Sequence, residues 1–173
     1  MKLEKLSPAF KDYLWGGTKL RDVYGKPCDF DKVAESWELS THPAGESTIA
    51  GGEYDGLPLS QYFEKAGKEV LGKNAQAFKN FPVLIKFIDA KDPLSIQFHP
   101  SDEYALQVEG EYGKTEMWYG MDCDEGAFLY FGVNRPVTKE EFRQRIADNT
   151  VLEVLNKVDV HPGDVFFIQS GTI

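Results

Sequence analysis

The stretch Leu94-Ser95-Ile96-Gln97-Phe98-His99 alternates apolar and polar residues. Read as a strand, its period-two geometry places Leu94, Ile96 and Phe98 on one face and Ser95, Gln97 and His99 on the other. The apolar face is expected to pack against a core. The polar face offers a hydroxyl, an amide oxygen and an imidazole in a row. Facing a barrel interior, such a row is a site for a metal or a polar ligand; facing water, it is the ordinary outer side of a sheet. Pattern alone leaves both readings open.

A second stretch bears on the choice. In Gly113-Lys114-Thr115-Glu116-Met117-Trp118-Tyr119, strand geometry puts Lys114, Glu116 and Trp118 on one face and Thr115, Met117 and Tyr119 on the other. A glutamate among Trp, Tyr and Met is costly to bury unless it is paired or metal-bound, so Glu116 is a candidate carboxylate ligand; the alternative is a surface pair with Lys114. Gln97, His99 and Glu116 together supply oxygen, nitrogen and oxygen donors, a set suited to Zn²⁺ or another divalent metal but short of a full shell. Lys86 interrupts the apolar run Phe81 to Ile88. It either snorkels to an edge or points into a polar cavity as an anion-binding or proton-carrying amine. His42 and His161 sit beside prolines in loop-like contexts and read as turn residues. Spacing assigns no role to Trp15-Gly16-Gly17 or to Glu35-Ser36-Trp37-Glu38.

Three helices are expected around these stretches. One has Ser60 as its N-cap, carries Leu59, Phe63, Ala66 and Val70, and stops near Gly72; a short one follows Ser101 and ends at Gly110; a third opens on the capping-box pattern at Thr138 and stops around Asn149. Strands are expected over Phe81 to Asp89, Leu94 to His99, Glu116 to Met121, Phe128 to Val133 and Val165 to Ile168. Many short strands with few helices predict a mainly antiparallel β sandwich or barrel with helices laid outside.

The 173 residues, 42% hydrophobic and 27% charged, fit one globular domain able to bury a core. A formal net charge of -9 gives no general attraction for a phosphate backbone or anionic lipid, which argues against nucleic acid and membrane-surface partners. A local basic group still has room for one small anion. Two cysteines, Cys28 and Cys123, are too few for a disulfide framework, and no stretch approaches the length of a membrane span, so a cytoplasmic setting is the default expectation. The chain stops at Gln169-Ser170-Gly171-Thr172-Ile173, directly after an apolar strand pattern, and is therefore expected to be a fragment.

These residues carry a family resemblance. Trp15-Gly16-Gly17, Ala34-Glu35-Ser36-Trp37-Glu38, Pro82 through Pro100, Gly113 through Tyr119 and Pro162 through Ile173 occur in the order of the type I mannose-6-phosphate isomerases of the cupin superfamily, which the whole chain resembles. The resemblance implies a mainly β fold, a cupin-like jelly-roll β-barrel with a few peripheral helices. It implies that residues 1–173 form a catalytic cupin domain truncated at its C-terminal end, without the family's second β domain. It implies a zinc-dependent aldose-ketose isomerase interconverting mannose 6-phosphate and fructose 6-phosphate through an enediol intermediate. Gln97, His99 and Glu116 are then zinc ligands, Lys114 and Lys86 catalytic, and Ser95, Lys86 and Lys114 substrate-binding. The family's fourth ligand, a histidine, falls just after Ile173. Competing readings are a non-catalytic sugar-phosphate-binding cupin, an iron-dependent cupin oxygenase and a purely structural β domain; oligomeric state is left open.

Overall fold

Backbone hydrogen bonding, more than apolar pattern, decides which of these segments become strands. The computed structural model describes residues 3–78 and 81–173, which divide into two compact units meeting in sequence between Leu94 and Ser95. The first unit contains β1 (Leu6–Ser7), β2 (Ala9–Lys11), α1 (Lys19–Asp22), β3 (Glu35–Leu39), β4 (Thr48–Ile49), α2 (Leu59–Ala66), a 3-10 turn (Lys68–Leu71), α3 (Gly72–Ala75) and β5 (Ile85–Ile88). The second contains α4 (Asp102–Val108), β6 (Glu116–Tyr119), β7 (Phe128–Val133), α5 (Lys139–Ala147), a 3-10 turn (Val151–Val154), β8 (Leu155–Asp159) and β9 (Val165–Ile168). Short strands outnumber helices among the described residues, and every named strand pair is antiparallel, as expected. None of the helices among these residues is long and apolar enough to cross a membrane.

In the first unit β3 is the central strand of a β2-β3-β5 sheet, pairing Ala9 with Trp37 on one side and Lys86 with Trp37 on the other. Its first three residues are buried, with Val33 and Ala34 just before it, so the strand reads as a continuous inward run. The loop after β3 closes on itself: the Ser47 hydroxyl donates to Trp37 O, and Ser47 Oγ accepts from Ser40 N. That turn-off at Ser40 limits β5. Register with β3 runs only from Glu35 opposite Ile88 to Leu39 opposite Ile85, so the expected strand over Phe81 to Asp89 shortens to four residues.

Trp15-Gly16-Gly17 splices the start of the chain to the segment after β5. Trp15 O accepts from Lys91 N and Asp92 N, and Gly17 N donates to Asp89 O. Gly16 lies so close to Ala34 that a Cβ there would come within 2.6 Å of its Cα.

The helices correct the sequence reading in one place and bear it out in two. The α2 helix starts at Leu59 after Pro58, whose ring presets the entry φ; its amide at Ser60 donates to Glu46 Oε1 from the preceding loop, so Ser60 is not the cap. Gly67, at φ 87°, ends it before Val70. For α4 and α5 the expected caps are present: Ser101 Oγ accepts from Tyr104 N and Thr138 Oγ1 from Glu141 N. Asn149, at φ 56°, terminates α5. The Glu141 carboxylate does not return to the Thr138 amide as a capping box would; it joins Arg135 at 2.5 Å and Arg145 at 3.1 Å.

In the second unit β6 pairs with β9 and β7 with β8. One face of the β6–β9 ribbon, with Met117, Tyr119, Val165 and Phe167, is exposed, while Trp118 and Ile168 turn inward. β8 carries only two apolar residues in Leu155-Asn156-Lys157-Val158-Asp159, which is why its sequence gave no strand signal.

Two outcomes follow. Gly16→Ala should lower stability by about 1–3 kcal/mol, because backbone rather than a movable side chain must give way; denaturant unfolding measures this, and an unchanged midpoint overturns the close-approach reading. The arginine hydrogen bonds hold Glu141 well below its ordinary 4.5, at about 2. A carboxyl depressed on folding stabilises above its unfolded value and loses that contribution as pH falls through the folded one. The melting-temperature gap between the native chain and Glu141→Gln should therefore be widest near neutrality and close between about 4.5 and about 2; a pH-independent gap contradicts it.

Candidate metal centre

Residues 94–99 do not form a strand, and this corrects the sequence reading. Among the described residues only His99 of this segment finds backbone partners: its N–H donates to Thr172 O at 2.9 Å and its carbonyl accepts from Gly171 N at 2.7 Å. Without a neighbouring strand, the apolar set does not bury as expected; Ile96 is 41% and Phe98 59% exposed, whereas His99 is 4% exposed. A two-bond clamp at the end of the segment replaces a ladder along it.

The polar residues nonetheless converge. Gln97 Nε2 donates to Ser95 Oγ at 3.1 Å, and Gln97 Oε1 accepts from Lys114 Nζ at 3.0 Å. The same ammonium lies 3.2 Å from Glu116 Oε1. On the other carboxylate oxygen, Oε2, the Trp118 indole donates at 2.8 Å and His99 Nε2 sits at 3.1 Å. Ser95, Gln97, Lys114, Glu116 and His99 thus form one connected set within the second unit. The surface-pair reading of Lys114 and Glu116 describes only part of it, since Glu116 is four-fifths buried and bonded on both oxygens.

Local backbone structure explains how Lys114 and Glu116 reach this place. Gly113 N donates to Asp102 Oδ1 and Lys114 N to Pro100 O, so the chain entering β6 is tied to the residues just after His99. A Cβ on Gly113 would come within 2.5 Å of the Asp102 amide, so only glycine allows that tie. From there β6 alternates as expected, with Glu116 and Trp118 turned in and Met117 and Tyr119 out.

Burial pushes the Glu116 carboxyl up, but the His99 hydrogen bond, the Lys114 charge and the Trp118 indole outweigh it and hold the group below its ordinary value. An ionised carboxylate only accepts, so Nε2 of His99 donates to it, and the other ring nitrogen is Nδ1. That atom is buried without a hydrogen-bond partner among the described residues. An imidazole, an amide oxygen and a carboxylate joined in one connected set are donors of the kind a divalent metal takes, so these residues fit zinc. Among the described residues no cluster of three or more His, Cys, Asp or Glu occurs; the trio meets zinc's preference only because Gln97 counts as an oxygen donor.

Lys86 lies on β5 in the first unit. Its Nζ pairs at 3.0 Å with Glu35 Oε1, a carboxylate only 7% exposed, whose Oε2 accepts from the Trp37 indole at 2.6 Å. His42 and His161 are turn residues as expected; Ala44 N donates to His42 Nδ1, and His161 is exposed beside Asp164. The partners missed in the sequence are Glu35, Trp37 and Trp118. The available signal was the Glu-x-Trp spacing at 35–37 and 116–118, which sets carboxylate and indole on the same strand face.

Trp118→Phe removes one donor from the Glu116 carboxylate and should raise its titration midpoint, read by carboxyl carbon NMR. An unmoved midpoint would mean the indole bond does not bias the charged form.

Residues 3–128 match the catalytic domain of type I phosphomannose isomerase. "Probable mannose-6-phosphate isomerase GmuF" of Bacillus subtilis (strain 168) is 43% identical over 169 residues, covering 97% of this chain and 52% of that protein. The crystal structure of the mannose 6-phosphate isomerase from Bacillus subtilis superposes with a TM-score of 0.87 at 38% identity, covering 98% of this chain and 53% of that one, and carries the mainly β, cupin-like fold class. A mannose 6-phosphate isomerase solved bound with zinc and yttrium shares the fold at a TM-score of 0.69 and 18% identity, covering 99% of this chain and 65% of that one. This chain spans about half the length of the curated relatives it matches. With its matched domain, its fold and the ordered Gln97, His99 and Glu116 set, the chain belongs to the type I phosphomannose isomerases.

Proposed function

We propose that the protein carrying this chain interconverts mannose 6-phosphate and fructose 6-phosphate, with zinc held by Gln97, His99 and Glu116. The observation that carries the reading is the convergence of Gln97 Oε1 and Glu116 on Lys114, with His99 Nε2 on the same carboxylate, in a chain of this family. Aldose-ketose isomerisation moves a proton between C1 and C2 of the opened sugar through an enediol, which requires a polarised carbonyl, a proton carrier and a fixed substrate. Bound zinc supplies Lewis-acid polarisation or orientation of the substrate oxygens.

The chain's own residues do the rest. Lys114 offers an ammonium with three N–H donors, of which Gln97 and Glu116 engage two, leaving one for a substrate oxygen that gains a proton as the enediol forms. Ser95, hydrogen-bonded to Gln97, presents its hydroxyl beside that donor for a sugar hydroxyl. Lys86 is the second proton-carrying or substrate-holding amine. Glu116, engaged as a ligand, is a poor base. The net charge of -9 repels polyanions at a distance, so a single sugar phosphate must be recognised by local groups. The cytoplasm, where sugar phosphates are found, is the compartment this reading assigns.

The test is formation of fructose 6-phosphate from mannose 6-phosphate in a coupled assay, before and after chelation and zinc return. Activity should disappear with the metal and come back with it. Binding of mannose 6-phosphate without turnover would mark a non-catalytic binding protein instead. Lys114→Met should lower kcat about a hundredfold, the scale of one lost proton-transfer group, while zinc content by metal analysis stays constant; unchanged turnover removes Lys114 from catalysis.

A further inference from the structure

Glu35 is a charged group buried in the first unit that the reaction as described does not use. Its side chain is 7% exposed and lies at the start of the central strand β3. A carboxylate in such a position is expensive unless every lone pair direction is answered. Two groups answer it: the Trp37 indole on Oε2 at 2.6 Å and the Lys86 ammonium on Oε1 at 3.0 Å. Trp37 is itself immobilised. It faces Lys86 across the β3–β5 pair, carries the Lys11 ammonium over its ring at 4.9 Å, and meets His42 edge-on at 5.8 Å. Gly45 packs so close that a Cβ there would stand 2.8 Å from the indole. Lys86 side-chain exposure is 24%, so the ammonium is held from inside while part of it still faces out.

We propose that Glu35 is a positioning residue for Lys86: its indole-braced carboxylate fixes where the Lys86 ammonium is presented and cancels that ammonium's charge, so that Lys86 serves neutral substrate oxygens, not the phosphate. The proposal rests on the reading of Lys86 as a substrate-contacting amine. An ammonium has three donors, and one N–H given to Glu35 leaves two for a ligand. A lysine already paired with a buried carboxylate gives a poor anchor for a dianion, but a well-aimed donor for a carbonyl or hydroxyl.

The experiment is a kinetic cycle of Glu35→Gln, Lys86→Met and the double variant in the zinc-loaded protein, with thermal melts of each. Glutamine keeps an acceptor for the Trp37 indole and removes only the charge. Glu35→Gln should lower kcat roughly tenfold through a misplaced donor. Its KM for mannose 6-phosphate should stay level or fall, because a negative charge has been removed near an anionic substrate. General loosening of the fold would raise KM as kcat drops. In the Lys86→Met background, Glu35→Gln should change kcat less than about twofold, since no ammonium remains to be positioned. Independent, multiplicative effects of the two changes overturn the positioning role, as does a raised KM in Glu35→Gln. If Lys86→Met itself turns over normally, the reading of Lys86 fails and the proposal with it, an outcome distinct from an impaired Lys86→Met that shows no coupling to Glu35.

Discussion

A buried carboxylate must be answered on both oxygens, and this chain meets that demand twice with the same parts. In β3 and again in β6, a glutamate takes an indole N–H from the tryptophan two residues on, and a lysine ammonium on its other oxygen. The i,i+2 spacing works because strand side chains return to one face every second residue. Indole is suited to the role, being a donor with a large apolar body that can line a core while its one N–H meets a charge. Strand register, lysine placement and local glycine contacts in each unit all serve these two carboxylates.

What separates the two clusters is who else arrives. Around Glu35 the neighbours are aromatic rings and one further cation, Lys11, and carboxylate and ammonium pair one to one. Around Glu116 a histidine shares the indole's oxygen, and Lys114 reaches on to a glutamine that reaches on to a serine. The first arrangement ends at one ion pair; the second runs on from Trp118 and His99 through Glu116, Lys114 and Gln97 to Ser95. Similar sequence fragments therefore yield a closed ion pair in one place and an extended polar set in the other.

Much of this was legible in the residues and some was not, for identifiable reasons. The inward face of β6 followed from alternation alone, and the helix starts at Ser101 and Thr138 from their cap signals. Convergence of Ser95, Gln97, His99 and Glu116 was also readable, yet through the wrong intermediate: residues 94–99 alternate like a strand but have no strand beside them. Alternation reports how side chains would be sorted if the backbone were extended; it says nothing of whether a partner exists. The same blindness lengthened β5, whose partner strand turns away at Ser40, and hid β8, whose partner supplies the hydrogen bonds that its own weak pattern does not advertise. Lys86 stood between two readings because its answer, Glu35, lies about 50 residues upstream, beyond any local pattern.

The clamp on His99 has a kinetic side. His99 is fixed by Gly171 and Thr172, and Gly132 N by Ile173 O, so the imidazole's seat is closed by contacts that span about 70 residues in the first case and about 40 in the second. Contacts of that span carry a loop-closure cost paid before any reward, so they form after local helices and hairpins have condensed. The β6 ribbon, with Glu116 and Trp118, must find β9 first, and only then is a backbone edge in place to receive His99. Donor atoms that are near neighbours in the folded chain are thus brought together among the last events of folding.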